Sequence, residues 1–281
     1  MKLVILDSGH AKSTAGKKAP DNSFYEWDFN NKMQYEIKER LEDHKITVKL
    51  TNPNPATVKD IGLTTRANSA NNFYKNAGKP KTIMLSIHAN AYGSGFNSAR
   101  GVEVFHASNA SSNSKNLAKY LCDNIYTDVK KIDTNFKNRG VKCQDFTVIY
   151  KTTTPCALIE YGFYSNKEDL SILKNKRSVL VESTVKAVCK YFGIKYVAPS
   201  TKVESDTTTS SNSTYEVTAT TLNVRKGRGT EHAIVGTVKK GQKIDIWSIA
   251  KDSKGVNWGS FRYSKTPDII GYVSMDYLKK I

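Results

Sequence analysis

The chain has 281 residues, of which 38% are hydrophobic and 10% aromatic, enough for one large packed domain or two smaller ones. Lys and Arg number 43 against 26 Asp and Glu, a net charge of +17 that favours anionic partners. Helix-turn-helix, RRM and zinc-finger signatures are absent and the bases are dispersed, which argues against nucleic acid; no stretch approaches the ~18–20 apolar residues of a membrane span.

In chain order, the first element is a strand at Lys2–Leu6. It meets Asp7 too soon to form a signal-peptide core, so the expectation is a protein made in a cytoplasm without a classical signal. Further apolar, β-rich runs fall at Ile46–Thr51, Thr82–Ile87, Val102–His106, Thr147–Tyr150 and Cys156–Glu160. Between them, Phe29, Met33, Ile37 and Leu41 recur at helical spacing, as do Leu117, Leu121 and Ile125, and Val179 to Phe192 suits a closing helix. Ser165–Asn166–Lys167–Glu168 has the spacing of a capping box, which makes Glu168 a helix-start residue without chemistry. Strands alternating with helices predict an α/β fold, a largely parallel twisted sheet flanked by helices. Cys122, Cys143, Cys156 and Cys189 contain no C-x-x-C pair and read as reduced, structural thiols.

Residues 198–214 are dominated by Ser and Thr and cannot bury enough surface to offset their ordering entropy, so they read as a linker. The rhythm then changes to short strands at Tyr215–Ala219, Leu222–Arg225, Ile234–Val238, Lys243–Ile249, Asn257–Arg262 and Ile269–Ser274, broken by Gly-bearing turns. That pattern predicts a small all-β barrel over 215–281, with Trp247 and Trp258 assigned to its core rather than to ligand stacking. The expected division is 1–197, 198–214 and 215–281.

In an open parallel sheet, ligands bind beyond the carboxyl ends of the strands. Those ends deliver His10 after Asp7–Ser8–Gly9, His88 before Ala89–Asn90, and Glu160 before Tyr161–Gly162. Glu26 lies just before the Phe29–Leu41 helix, on the same apolar stripe as Met33 and Ile37, where a carboxylate is costly without a partner, and a metal is one such partner. Two imidazoles and a carboxylate on one zinc form a catalytic ligand set, with a further carboxylate to deprotonate water. Taken singly, each residue has a plainer role: His10 a turn cap, His88 a core histidine, Glu26 a solvated helix-start charge, Glu160 a strand-end ion pair. His106 is the rival ligand, His44 a solvated helix cap, and His232 a turn residue of the barrel. Asp7 either orients a histidine or forms a turn.

Residues 2–192 resemble the zinc-dependent N-acetylmuramoyl-L-alanine amidases of the amidase-3 type. The matching pieces occur in family order: VILDSGH ending at His10, Tyr25–Asn30, Arg66–Asn71, Ser86–Asn90, Gly101–Phe105 and Ile159–Asn166. The resemblance implies His10, Glu26 and His88 as zinc ligands and Glu160 as the catalytic carboxylate, and it disfavours His106. Where the family has glycines after the first histidine, Ala11–Lys12–Ser13 stand here. Arg66, Asn71 and Asn90 match family positions without an assigned role. The C-terminal part resembles bacterial SH3-type domains through Leu222–Arg225, Gly227, Gly229–Thr230, Val235–Gly236, Lys240–Gly241, Trp258 and Gly271–Ser274.

These resemblances imply hydrolysis of the amide between N-acetylmuramic acid and L-alanine of peptidoglycan, with the barrel binding a cell-wall polymer. The absence of a leader then suggests a phage endolysin that reaches the wall after release, with a bacterial autolysin as the alternative. A zinc endopeptidase within the stem peptide, a metal-free glycosidase and a non-catalytic wall-binding protein are the competing functions.

Overall fold

The computed structural model describes residues 1–53, 60–199, 213–246, 248–252, 254–263 and 270–281. They form two compact units, Met1–Val197 and Ala198–Ile281. Residues 200–212 of the Ser/Thr-rich segment, and Trp247, lie outside the described residues.

The first unit is built on β1 (Lys2–Ser8), β2 (Thr47–Leu50), β3 (Lys81–Asn90), β4 (Val102–His106), β5 (Asn138–Cys143) and β6 (Cys156–Phe163), in the order β2-β1-β3-β6-β4-β5. β2, β1, β3 and β6 run parallel. β4 pairs antiparallel with β6, and β5 runs parallel to β4, so the sheet is mixed. The reversal has a local cause. The chain from β3 to β4 contains no helix to carry it back across the sheet, so β4 starts at the edge where β3 ended.

Among the described residues, six helices cover the sheet: α1 (Glu26–Asp43), α2 (Leu63–Asn76), α3 (Ser112–Lys130), α4 (Thr147–Tyr150), α5 (Lys167–Asn175) and α6 (Arg177–Phe192). Alternate strand residues feed the two faces. Val4, Leu6, Ile83, Leu85, Ile87 and Ile159 pack with Phe29, Met33, Ile37 and Leu41 of α1 and with the inner faces of α3 and α6. Leu3, Ile5, Met84 and Leu158 point the other way, against Ala70 of α2 and Val148 and Ile149 of α4. Both faces being dry is why the central strands read as unbroken apolar runs.

Thr147–Tyr150 was expected as a strand and is one turn of helix: Val148 and Ile149 are buried on the α2 side, and Tyr150 N–H closes a helical bond to Phe146 O at 2.9 Å. Strand β5 was not anticipated, because NRGVKC is a polar edge strand with mostly exposed side chains. The cap of α5 is Asn166, whose side chain accepts from Asp169 N–H, while Ser165 Oγ accepts instead from Tyr92 N–H at 2.9 Å. All four cysteines are free; Cys122, Cys156 and Cys189 are buried, whereas Cys143 is exposed on β5. Burial pushes the Cys122 thiol up to about 11 and Cys156 to about 12.

Beyond α6 the chain is fastened back onto the helices. Arg40 of α1 donates to Val197 O at 2.8 Å and to Glu182 of α6 at 2.7 Å, and Tyr196 OH donates to Glu182 at 2.7 Å. His44, the C-cap of α1, donates from Nδ1 to Arg40 O and accepts Val197 N–H on Nε2 at 3.0 Å, with its ring stacked on Tyr196. It is a partnered cap, not a solvated one.

In the second unit the described residues form β7 (Ser213–Val217), β10 (Lys243–Ile246) and β14 (Leu278–Lys280) in one sheet. β8 (Thr221–Arg225), β9 (Ile234–Lys239), β11 (Ser248–Lys251), β12 (Asn257–Arg262) and β13 (Ile270–Ser274) form the other. Val217, Val224, Val238, Ile246, Phe261 and Val273 make its core. Trp258 is 4% exposed and its indole N–H is held by Asp252 at 2.9 Å, so it belongs to the interior.

Candidate metal centre

The parallel strands β1 and β3 deliver their histidines at the same sheet edge. His88 lies near the end of β3, and His10 follows β1 by two residues. Glu26 opens α1, where the helix N-terminus favours a negative charge, and it is 2% exposed. Its Oε1 accepts from His88 Nδ1 at 3.0 Å and Ala89 N–H at 3.3 Å, and lies 3.3 Å from His10 Nε2. Donor atoms of His10, Glu26 and His88 all lie within 4.8 Å of one another, the one such His/Cys/Asp/Glu group among the described residues. Burial alone would raise the Glu26 carboxyl; hydrogen bonds from His10 and His88 and their charges outweigh it and hold the group down at about 2.

Close packing makes room for this cluster. The His88 ring lies directly over Gly9, where a Cβ would collide with Cε1 of the ring, so any larger residue would displace the imidazole. The rings of His10 and His88 meet edge to face, with centroids 5.1 Å apart. His10 itself has φ 61°, in the left-handed region.

Glu160 is the register neighbour of His88 on β6. One of its oxygens, Oε2, is buried with no hydrogen-bond partner among the described residues. Burial first, and then the charges of Glu26 and Glu103, push its carboxyl well above the ordinary range, with Lys17 opposing. Two neighbouring carboxyls are thus driven in opposite directions, Glu26 toward its anion and Glu160 toward its protonated form.

The remaining sequence candidates fall elsewhere. β4 runs against β6, so His106 ends at the opposite edge of the sheet, its Nδ1 bonded to Ala107 O at 2.9 Å. His232 sits in a turn of the second unit, 3.6 Å from Glu231. Asp7 neither forms a turn nor touches a histidine. It is fully buried in β1, accepting from Thr51 at 2.5 Å, Ser86 at 2.7 Å and Arg66 at 3.2 Å. Asn71 binds Lys151 O and Thr153 away from the centre, and Asn90 donates to Glu103 at 2.7 Å.

The donor set fits zinc. Two imidazoles and one carboxylate lie together, and an adjacent buried carboxyl oxygen has no partner among the described residues.

Comparison with known proteins agrees with this architecture. Residues 4–190 match the N-acetylmuramoyl-L-alanine amidase family, and residues 220–279 match the bacterial SH3 domain. The endolysin of Bacillus phage SPP1 is 32% identical over 176 residues, covering 62% of this chain and 59% of that protein. The probable cell wall amidase LytH of Staphylococcus aureus is 28% identical over 196 residues, covering 68% of this chain and 58% of that one. The chain therefore spans somewhat under two thirds of the length of these two relatives. Among solved structures, an N-acetylmuramoyl-L-alanine amidase from Clostridium difficile 630 superposes with a TM-score of 0.60 at 28% identity, covering 69% of this chain and 98% of that one. The catalytic domain of CwlV, an amidase from Paenibacillus polymyxa, gives 0.58 at 25% identity, covering 69% and 100%.

Proposed function

The chain belongs to the N-acetylmuramoyl-L-alanine amidase family, and on that premise we propose that it hydrolyses the amide between the lactyl group of N-acetylmuramic acid and L-alanine of peptidoglycan, with zinc as cofactor. The observation that carries this is the convergence of His10, Glu26 and His88 beside the unpartnered oxygen of Glu160. His10, Glu26 and His88 would hold the ion. When bound, zinc supplies Lewis acidity that polarises the scissile carbonyl and acidifies water.

Glu160 takes the proton of the attacking water and passes it to the departing amine of L-alanine. Its raised proton affinity suits both halves of that transfer, since a strongly acidic carboxyl would be a poor base toward water. Glu26, held ionised by two imidazoles, remains an anion throughout.

We assign catalysis to residues 1–197, tethering to 198–214, and attachment to a cell-wall polymer to 215–281. Likeness to a phage endolysin supports an endolysin that acts on the wall after release. No helix among the described residues is long and apolar enough to cross a membrane.

The test is digestion of purified walls with the zinc-loaded chain, followed by end-group analysis with and without chelator. A new L-alanine amino terminus that chelator abolishes is expected. New amino termini elsewhere in the stem peptide would make it an endopeptidase, and reducing sugars insensitive to chelator would make it a glycosidase. No release at all would leave only wall binding.

A further inference from the structure

The segment carrying His10 has an unusual set of restraints. The carbonyls of Ser8, Gly9 and His10, at the end of β1 and just beyond it, are each held by a side-chain donor. Asn52 Nδ2 donates both of its hydrogens, to Ser8 O at 2.8 Å and to His10 O at 3.0 Å. Asn30 Nδ2 donates to Gly9 O at 3.1 Å and approaches Glu26 Oε1 at 3.5 Å. Arg66 adds a bond to Ser8 O at 3.1 Å, and Gly9 N–H donates to Ile87 O of β3 at 3.0 Å. Both asparagines are fully buried. Two carbonyls facing one amide of Asn52 require its NH2 group there, which fixes the amide orientation.

Each asparagine also reaches the helix that carries Glu26. Asn30 is one turn beyond Glu26 on α1. Asn52 accepts through its own carbonyl from Gln34 of α1 at 2.9 Å, and Tyr35 OH donates to the next carbonyl, Pro53 O, at 2.8 Å. The left-handed backbone at His10 lies outside the commonest basins and needs restraint to persist.

We propose that Asn52 and Asn30 are positioning residues that splint the three donors into a preformed metal cradle, fixing the His10 backbone relative to Glu26 and His88 before any ion binds. In this proposal the ligands are His10, Glu26 and His88, and each asparagine acts through the segment it holds. The inference rests on the zinc reading above. Loss of such an outer partner costs about 10–100-fold in metal affinity.

The experiment titrates the full-length apo chain with zinc against a chromophoric chelator and records the apo thermal midpoint and the Co(II) absorption spectrum. The variants are Asn52→Ala, Asn52→Ser, Asn30→Ala and, as a control, Asn71→Ala, which loses bonds to Lys151 and Thr153 far from the donors. Zinc affinity is expected to fall about 10–100-fold at positions 52 and 30 with altered Co(II) bands, and to stay within about twofold of wild type at 71. If Asn52→Ala does not fold, Asn52→Ser carries the comparison. Wild-type-like affinity and spectra at both 52 and 30 would overturn the inference, as would equal losses at 71. Failure of the wild type itself to bind zinc would overturn the zinc reading, and this inference with it.

Discussion

At the scale of single residues, the proposed site would separate two tasks that one carboxylate could not perform together. Glu26 is held as an anion by its histidines, while Glu160 is held toward its protonated form by burial and by neighbouring negative charge. Glu160→Gln should therefore keep zinc, measured by metal content after dialysis, yet lose at least about 100-fold in wall hydrolysis, the usual range for a lost general base. His10→Ala and His88→Ala should lose zinc in the same assay; a Glu160→Gln variant with full turnover would remove that carboxylate from the mechanism. The four proposed residues were legible because strand ends and a costly carboxylate on an apolar stripe leave marks in sequence. Asn52 was not read, although the same rule covered it: it directly follows Thr51, at the carboxyl end of the second strand. Its role depends on two backbone carbonyls, which no residue pattern displays.

Glu103 gives a residue-scale prediction of a different kind. It sits opposite Glu160 in the β4–β6 ladder and accepts from Asn90, Arg139 and Lys142. Burial would raise its carboxyl, but hydrogen bonds from Lys142 and Arg139 outweigh it and bring the group below its ordinary 4.5. A lowered folded value contributes stability that is fully present above the unfolded value and is lost as pH falls through the folded one. As pH falls below the ordinary carboxylate range the urea midpoint of the wild type should thus fall more steeply than that of Glu103→Gln. Parallel curves for the two proteins would mean that Glu103 carries no such linkage.

Among elements, the connection from β3 to β4 decides the direction of β4 in the sheet. Asp169 of α5 anchors its far end: it is fully buried and accepts from Gly101 N–H at 2.7 Å, Phe163 N–H at 3.1 Å and Arg100 at 3.0 Å. Asp169→Ala would leave two buried N–H groups and a guanidinium short of a partner, so a loss of about 2–4 kcal/mol is expected in chemical unfolding. The period-four stripes of α1 and α3 and the apolar central strands were readable because burial imposes them. β5 and the reversal of β4 were not. An exposed edge strand has no apolar alternation, and strand direction is set by what the connection contains. The short run Thr147–Tyr150 shows the same ambiguity, since four apolar-rich residues fit a strand or a single helical turn equally well.

For the whole molecule, the net charge of +17 and the match of residues 220–279 to the bacterial SH3 domain bear on how the chain would reach the cell wall proposed as its substrate. Salt shortens the reach of exposed charges from roughly 10 Å at 0.1 M to roughly 3 Å at 1 M. Retention of the full chain on purified walls should accordingly drop as sodium chloride rises over that range, measured by co-sedimentation; unchanged retention would assign attachment to uncharged contacts. The fastening of Tyr196 and Val197 to Arg40, His44 and Glu182 bears on a separate question, where the molecule can be cut. Helix α6 stops at Phe192, and a gene trimmed there would strip acceptors and stacking partners from the first helix. Excision after Val197 keeps them, so the usable boundary for the isolated first unit lies five residues beyond its last helix.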